Sequence, residues 1–228
     1  MTEFAIAVPP VVALPIHESD MLFPVRRVYC IGRNYAAHAV EMGHDPDREP
    51  PFFFQKNPNN LDPSGAFPYP PQTADVHHEV ELAVMLKSGG SAIPVNSAAT
   101  HIFGYALSLD MTRRDLQGAQ KKLGRPWEIG KAFERSAPVG PIHPVTSTGL
   151  LDAGQVTLSV NGEIRQQGDL NQMIWKVPEM ISYLSEYFEL AAGDVILSGT
   201  PAGVGPVIRG DVMEMSIAGL GAMTVRVT

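Results

Sequence analysis

Three carboxylates and the polar groups around them carry the chemistry open to this sequence. Glu79 and Glu81 stand two apart in His78-Glu79-Val80-Glu81-Leu82-Ala83-Val84-Met85-Leu86, where side-chain type alternates as in a strand. Side chains two apart on a strand share a face, about 7 Å from each other. Two carboxylates there repel unless a cation or a basic group lies between them. Val80, Leu82, Val84 and Leu86 mark the opposite face as the buried one. Asp110 ends a second expected strand, Ile102 to Leu109, on the face of Gly104, Ala106 and Ser108, whose small side chains leave room for a ligand. Three oxygen donors suit Mg²⁺ or Mn²⁺, with water or substrate completing an octahedron. His77 and His78 adjoin the pair, but no His-x₃-His or cysteine set accompanies them for zinc. The spacing of Glu79 and Glu81 equally fits two solvated strand residues.

Three further groups flank this one. His38-x-x-Glu41 places an imidazole and a carboxylate three apart on an expected helix, Tyr35 to Met42, with Asn34 as N-cap and Gly43 closing it. At that spacing Glu41 can orient the imidazole and leave one ring nitrogen as a base for water. A surface His–Glu pair has the same spacing. The helix is alanine-rich and flanked by Gly32 and Gly43, so it can behave as a lid. Arg114 and Gln117 share a helical face just after Asp110, and Lys131 follows Trp127-Glu128-Ile129-Gly130. Basic groups beside carboxylates in an acidic protein fit an anionic small-molecule substrate bridging to a metal, although Arg113, Lys121 and Lys122 include ordinary solvated helix charge. Last, Ser198-Gly199-Thr200-Pro201-Ala202-Gly203-Val204-Gly205 lacks the Gly-Lys-Ser/Thr ending of a phosphate loop. Such a turn can present N–H groups and the Thr200 hydroxyl to a carboxylate, or be a tight turn that needs positive φ.

The elements that must position these groups are short. Strands are expected at Val28–Ile31, His78–Leu86, Ile102–Leu109, Val156–Val160, Glu163–Gln166 and Val195–Leu197, with a last hairpin from Val212 to Val227 turning at Gly219–Gly221. Asn161-Gly162 is the strongest hairpin turn signal. Helices are expected from Thr112 to Leu123 and from Pro178 to Phe188, and His44 to Pro71 reads as loop around a short Phe52–Phe54 run. With 21 glycines and 20 prolines the chain suits a mixed, β-rich α+β fold. Its 228 residues fit an irregular lead-in over 1–24 and one catalytic domain over 25–228.

A net charge of −7 and a pI near 5.4 argue against nucleic acid or an anionic membrane as partner. No apolar run reaches the 18 residues of a membrane span, and Glu3, Pro9 and Pro10 disfavour a signal peptide. Cys30 is the only cysteine, which excludes an internal disulfide and fits a reducing cytoplasm. A lone cysteine is more often a small buried hydrophobe than a nucleophile.

Taken in order, Gly32-Arg33-Asn34-Tyr35, His38-x-x-Glu41, His78-Glu79-Val80-Glu81, Leu109-Asp110-Met111-Thr112, Trp127 to Lys131 and Gly199-Thr200-Pro201 resemble the fumarylacetoacetate hydrolase family. The likeness runs from about Val25 to the end. It implies the family's β-roll of packed sheets with few short helices, usually in a homodimer. It also implies Glu79, Glu81 and Asp110 as ligands of Mg²⁺ or Mn²⁺ and His38 and Glu41 as the lid dyad. Lys131 becomes the catalytic lysine, with Gln117 beside it for the oxyanion, and Arg33, Tyr35, Arg114 and Thr200 become substrate contacts. The segments Arg26 to Gly32, Asp47 to Phe54, Asp110 to Asp115 and Gly124 to Lys131 look most like the bacterial fumarylpyruvate hydrolases. The family commonly has proline after its Phe-x-Lys segment, whereas Asn57 follows Lys56 here. The implied reaction is hydrolytic C–C cleavage of a 2,4-diketo acid late in gentisate breakdown. Cleavage of a different acylpyruvate, oxaloacetate decarboxylation or keto-acid tautomerisation are the alternatives at the same site. For the substrate's distal carboxylate the candidates are Arg113, Arg48 and Arg33.

Overall fold

Two sheets and a strand break place the acidic residues. The computed structural model of the chain describes residues 3–36 and 50–228. A six-stranded mixed sheet runs in the order His143–Pro144, Ile102–Leu109, Val80–Leu86, Asp194–Leu197, Arg27–Gly32, Phe52–Lys56. Asp194–Leu197 lies parallel to Arg27–Gly32, and the other neighbours are antiparallel. A five-stranded sheet packs against it in the order Glu163–Asp169, Gln155–Val160, Val212–Ile217, Gly221–Val227, Ala66–Phe67. The Asn161-Gly162 turn has φ of +53° and +81°, the two left-handed residues that a tight hairpin needs.

All seven residues of Val80–Leu86 are buried, which corrects the expectation of one buried face. Val80, Leu82, Val84 and Leu86 enter the large core between the two sheets. Ala83 and Met85, on the face of Glu81, enter a second core with Val28, Cys30, Val195 and Leu197. A central strand has no solvent face, so alternation here separates two cores instead of inside from outside. Glu81 escapes the second core by standing at the strand's start. Cys30 is free and buried, and burial pushes its thiol well up, so it packs and does not attack.

The second core also takes Leu14, Ile16 and Phe23. Ala13–Pro15 pairs antiparallel with Leu22–Pro24, so the stretch read as an irregular lead-in contributes a hairpin and packed side chains from Ala13 onward.

Helices are few. Val177–Tyr187 has proline in its first turn and buries Val177, Met180, Ile181 and Leu184, the spacing of one helical face. The other long helix starts at Arg114, two residues later than expected, because Thr112 and Arg113 pair with His77 and Val76 as a strand. Phe52–Lys56, read as loop, is the edge strand beside Arg27–Gly32. Its three consecutive phenylalanines hide the alternation that marks a strand. Among the described residues no helix is long and apolar enough to cross a membrane. The fold is the expected sheet-rich α+β class with few short helices.

Leu82 is fully buried between the sheets, so Leu82→Ala should lower the unfolding free energy by about 2–5 kcal/mol. Urea denaturation checks this, and a loss below about 1 kcal/mol would show that the core is not closed there.

Candidate active site

Glu79 occupies the break between Val76–His78 and Val80–Leu86. Its carbonyl accepts from the Asp110 N–H at 2.9 Å, which draws the end of Ile102–Leu109 against the break. Glu79, Glu81 and Asp110 each offer a carboxylate oxygen within 4.8 Å of the others, at exposures of 6, 3 and 1%. Charge so close and so buried requires cations.

Three are present. Lys131 Nζ donates to Glu79 Oε2 at 2.8 Å, Asp110 Oδ2 at 2.7 Å and Thr112 Oγ1 at 2.7 Å. Arg114 Nη2 reaches Glu79 Oε1 at 2.5 Å. Lys56, buried on the edge strand, puts Nζ 2.9 Å from Asp110 Oδ1 and also donates to Ser136 Oγ and the Lys131 carbonyl. The Lys56–Asp110 contact lacks hydrogen-bond alignment, so Asp110 Oδ1 is buried with no donor aimed at it. Burial first, then the Asp110 and Glu79 charges, push the Glu81 carboxyl well above its usual range. Burial also pulls the Lys131 ammonium down, but Asp110 and Glu79 outweigh it and leave it raised. Clustered hard oxygens, one without an aligned donor and one carboxyl resisting ionisation, fit a divalent cation such as Mg²⁺ or Mn²⁺.

Arg114 is held from behind. Its Nε donates to His77 Nδ1 at 3.3 Å, and His77 Nε2 faces Asp75 Oδ1 at 2.9 Å, so an Nε2–H tautomer satisfies both contacts. Arg114 Nη1 donates to Gln117 Oε1 at 2.6 Å, which leaves the Gln117 amide N–H groups as donors toward the cleft. All three Lys131 hydrogens go to the carboxylates and Thr112. In this arrangement Lys131 serves the acidic cluster, and donation to an oxyanion needs one of those bonds exchanged.

The glycine-rich loop closes the opposite side. Gly199 N–H donates to Glu81 Oε2 at 2.9 Å from a backbone at φ +92°. A Cβ there would meet Asn34 Cβ at 2.8 Å, so glycine is required for close approach as well as for φ. The Thr200 hydroxyl donates to the Val80 carbonyl and accepts from Gln166 Nε2, both at 2.8 Å. Its single hydrogen is therefore taken, which corrects the expectation that it donates to substrate. The Thr200 backbone N–H has no acceptor among the described residues and is the donor the loop can offer. Asn34 bridges loops, while the helix that it was expected to cap lies outside the described residues from residue 37 onward. Its amide donates to the carbonyls of Trp175 at 2.9 Å and Ser198 at 2.8 Å, and its Oδ1 accepts from Trp175 N–H at 2.7 Å.

Above the carboxylates opens a cleft of ≈ 540 Å³, counting its solvent-open part, within the range that takes small organic ligands. Of the expected site residues, Arg33, Arg114, Gln117, Lys131 and Thr200 line it with the three carboxylates. Tyr35 does not. It is 3% exposed in the large core, where burial raises its hydroxyl's pKa. Arg113 turns away too, lying 4.4 Å from the Phe133 ring centroid and donating to the Ile129 carbonyl. His38, Glu41 and Arg48 lie outside the described residues. Sequence reasoning missed Lys56, His77 and Gln166 as supports, and Phe52, Phe54, Trp127 and Lys121 as cleft wall. Only Lys121 carried a usable signal, since it shares the helical stripe of Arg114 and Gln117 at i+7 and i+4.

Residues 27–228 match the family described as fumarylacetoacetate (FAA) hydrolase C-terminal. The chain is 52% identical to a crystal structure of fumarylpyruvate hydrolase from Pseudomonas aeruginosa in complex with Mn²⁺ and pyruvate, covering 99% of both chains at a TM-score of 0.97. It is 42% identical to oxaloacetate tautomerase YcgM of Escherichia coli (strain K12), over 86% of this chain and 90% of that one. It is 41% identical to a mitochondrial oxaloacetate decarboxylase of Dictyostelium discoideum, over 86% and 90% respectively.

Asn34→Ala would leave buried partners at Trp175 and Ser198 unsatisfied and should cost about 2–4 kcal/mol. A thermal melt reads the loss, and a variant as stable as wild type would show that the two loops hold their places without this bridge.

Proposed function

We propose a function from one established premise: the chain belongs to the fumarylacetoacetate hydrolase family. The reading is a divalent-metal-dependent hydrolase of a 2,4-diketo acid, with fumarylpyruvate and water giving fumarate and pyruvate. One observation carries it. Three buried carboxylates with clustered oxygens open into a cleft whose other polar wall is cationic, through Arg33, Arg114 and Lys121. A dianionic keto acid is complementary to that wall, and a divalent cation on the carboxylates would draw its keto-acid end to the floor.

Glu79, Glu81 and Asp110 would hold Mg²⁺ or Mn²⁺, which when bound supplies Lewis-acid polarisation of the 2-oxo acid end. Arg114, fixed by His77 and Gln117, is placed to take the substrate's near carboxylate, and the Thr200 N–H to donate beside it. His38 takes a proton from water, oriented by Glu41, in the role that their motif implies. The water oxygen adds to C4, the Gln117 amide donates to the resulting oxyanion, and the C3–C4 bond breaks. Its electron pair stays on C3 as pyruvate enolate, which a proton then quenches. A homodimer acting in the cytoplasm on the gentisate route belongs to this reading and rests on the family resemblance.

A second reading is favoured by the names of the relatives: oxaloacetate tautomerisation or decarboxylation at the same carboxylates. Neither reaction adds water to a carbonyl, so the products separate the readings. Purified protein with Mn²⁺ should convert fumarylpyruvate to fumarate and pyruvate at least tenfold faster than it consumes oxaloacetate, and the reverse preference would overturn the main reading.

Loss of a ligand should exceed the ~10–100-fold cost typical of losing an outer-shell partner. Glu81→Gln is therefore expected to weaken Mn²⁺ binding by more than about 100-fold in calorimetric titration, and turnover should vanish with it. Wild-type Mn²⁺ affinity in that variant would remove Glu81 from the metal site.

A further inference from the structure

The far end of the substrate has no partner in the scheme above. The helix Arg114–Lys122 turns Arg114, Gln117 and Lys121 toward the cleft as one stripe, and all three line it. Arg33 lines the same cleft from the turn after Arg27–Gly32, its guanidinium carbon 5.1 Å from the Phe52 ring centroid. Its backbone holds φ at +57°, a conformation that non-glycine residues adopt at a cost and that clusters at functional sites. Arg33 has no ion pair among the described residues.

We propose that Lys121 and Arg33 form the subsite for the distal carboxylate of a long dicarboxylic substrate, selecting a seven-carbon diacid over a four-carbon one. This rests on the diketo-acid reading and names the specificity device within it.

Length decides the case. Lys121 stands seven positions after Arg114 on the helix, about 10 Å along the axis. Arg114 is anchored at the carboxylate end by Glu79. Six carbon–carbon bonds carry the two ends of a seven-carbon diacid about 7–8 Å apart, and three bonds carry those of oxaloacetate only about 4 Å. With the near carboxylate at Arg114, the longer acid reaches the Lys121 end of the helix and the shorter does not. The carbons between would pass Phe52, Phe54 and Trp127, whose rings stand 5.2 and 6.0 Å from one another at Phe52–Trp127 and Phe54–Trp127. Flat conjugated carbons suit such walls. Charge agrees with length. Partial burial, then the Arg33 and Arg114 charges, lower the Lys121 ammonium's pKa, as expected for cations sharing one field. An anion between them relieves that repulsion. Of the other arginines considered for this end, Arg113 is excluded by its packing on Phe133.

The test uses a matched pair, fumarylpyruvate and crotonylpyruvate, in which a methyl replaces the distal carboxylate. Lys121 is exposed, and exposed ion pairs contribute modestly. Lys121→Gln should therefore lower the fumaryl-over-crotonyl ratio of kcat/KM by about fivefold. The Arg33→Gln/Lys121→Gln double variant should lower it further, and Lys121→Arg should restore most of it. A ratio equal to wild type in Lys121→Gln, or a parallel loss on both acids, would overturn the subsite. If wild type cleaves neither acid, the hydrolase reading fails, but calorimetric titration of the same pair with Mn²⁺ still reads the subsite. Equal affinities for the two acids in wild type would then reject it.

Discussion

The constraint on which the structure turns is the repulsion among Glu79, Glu81 and Asp110. Carboxylates this near each other and this buried ionise only against opposing charge. Buried ion clusters are poor devices for stability, since well-packed apolar side chains of similar volume do as well or better. Stability alone therefore does not account for holding three acids here with Lys56, Lys131 and Arg114. Each cation comes from a different element: the Phe52–Lys56 edge strand, the four-residue helix Glu128–Lys131 and the helix after Asp110. The fold brings distant stretches of chain together around one electrostatic problem.

The sheet solves it at one end. Val80 pairs with Leu109, Ala83 with Leu197, Cys30 with Leu197 and Gly32 with Phe52, so the chain enters or leaves five neighbouring strands near the same edge. The segments that continue past that edge carry Glu79, Asp110, Ser198–Thr200 and Arg33. Gly32 contributes by having no side chain, because a Cβ there would lie 2.1 Å from the Phe52 ring. Its absence lets Phe52 lie across the turn as cleft wall beneath Arg33. From the other sheet, Gln166 reaches in to accept from the Val80 N–H and donate to Thr200 Oγ1. One buried amide thus fixes both the acidic strand and the loop facing it.

Local signals in the sequence were read well and distant ones poorly. The Asn161-Gly162 turn, the Pro178 helix, the last hairpin and the acidic strand each follow from residues a few positions apart. Strand parity and small neighbours suggested the grouping of Glu79, Glu81 and Asp110 but fitted solvated strand residues equally, and the family resemblance decided it. Lys56 and Gln166 carried no such pattern, since their partners lie 75 and 34 residues away. A buried lysine is known only by what surrounds it. Tyr35 adjoins Arg33 and Asn34 in one motif, yet its ring turns into the core while Arg33 faces the cleft. Adjacency placed the backbone correctly and the side chain wrongly. The Thr200 hydroxyl failed for a related reason, because its type permits donation but its one hydrogen is already used by Val80.

Charge balance ties these pieces to binding. The three carboxylates would balance Lys56, Lys131 and Arg114 only with Glu81 ionised, which burial and the neighbouring acids resist. A divalent ion adds two positive charges in a site of low dielectric, where an uncompensated excess is expensive. On the proposed reading the near carboxylate offsets part of that excess in the cluster, and the distal one lies farther out at Lys121 and Arg33. Ion and diacid would then be coupled ligands, and coupling is reciprocal: whatever factor the ion contributes to diacid affinity, the diacid would return to the ion. The cations of the outer wall act on the same balance from farther away, through solvent that screens them more. On the proposed reading, affinity for the keto-acid end is set in the buried cluster, and choice among acids that share that end falls to the exposed rim.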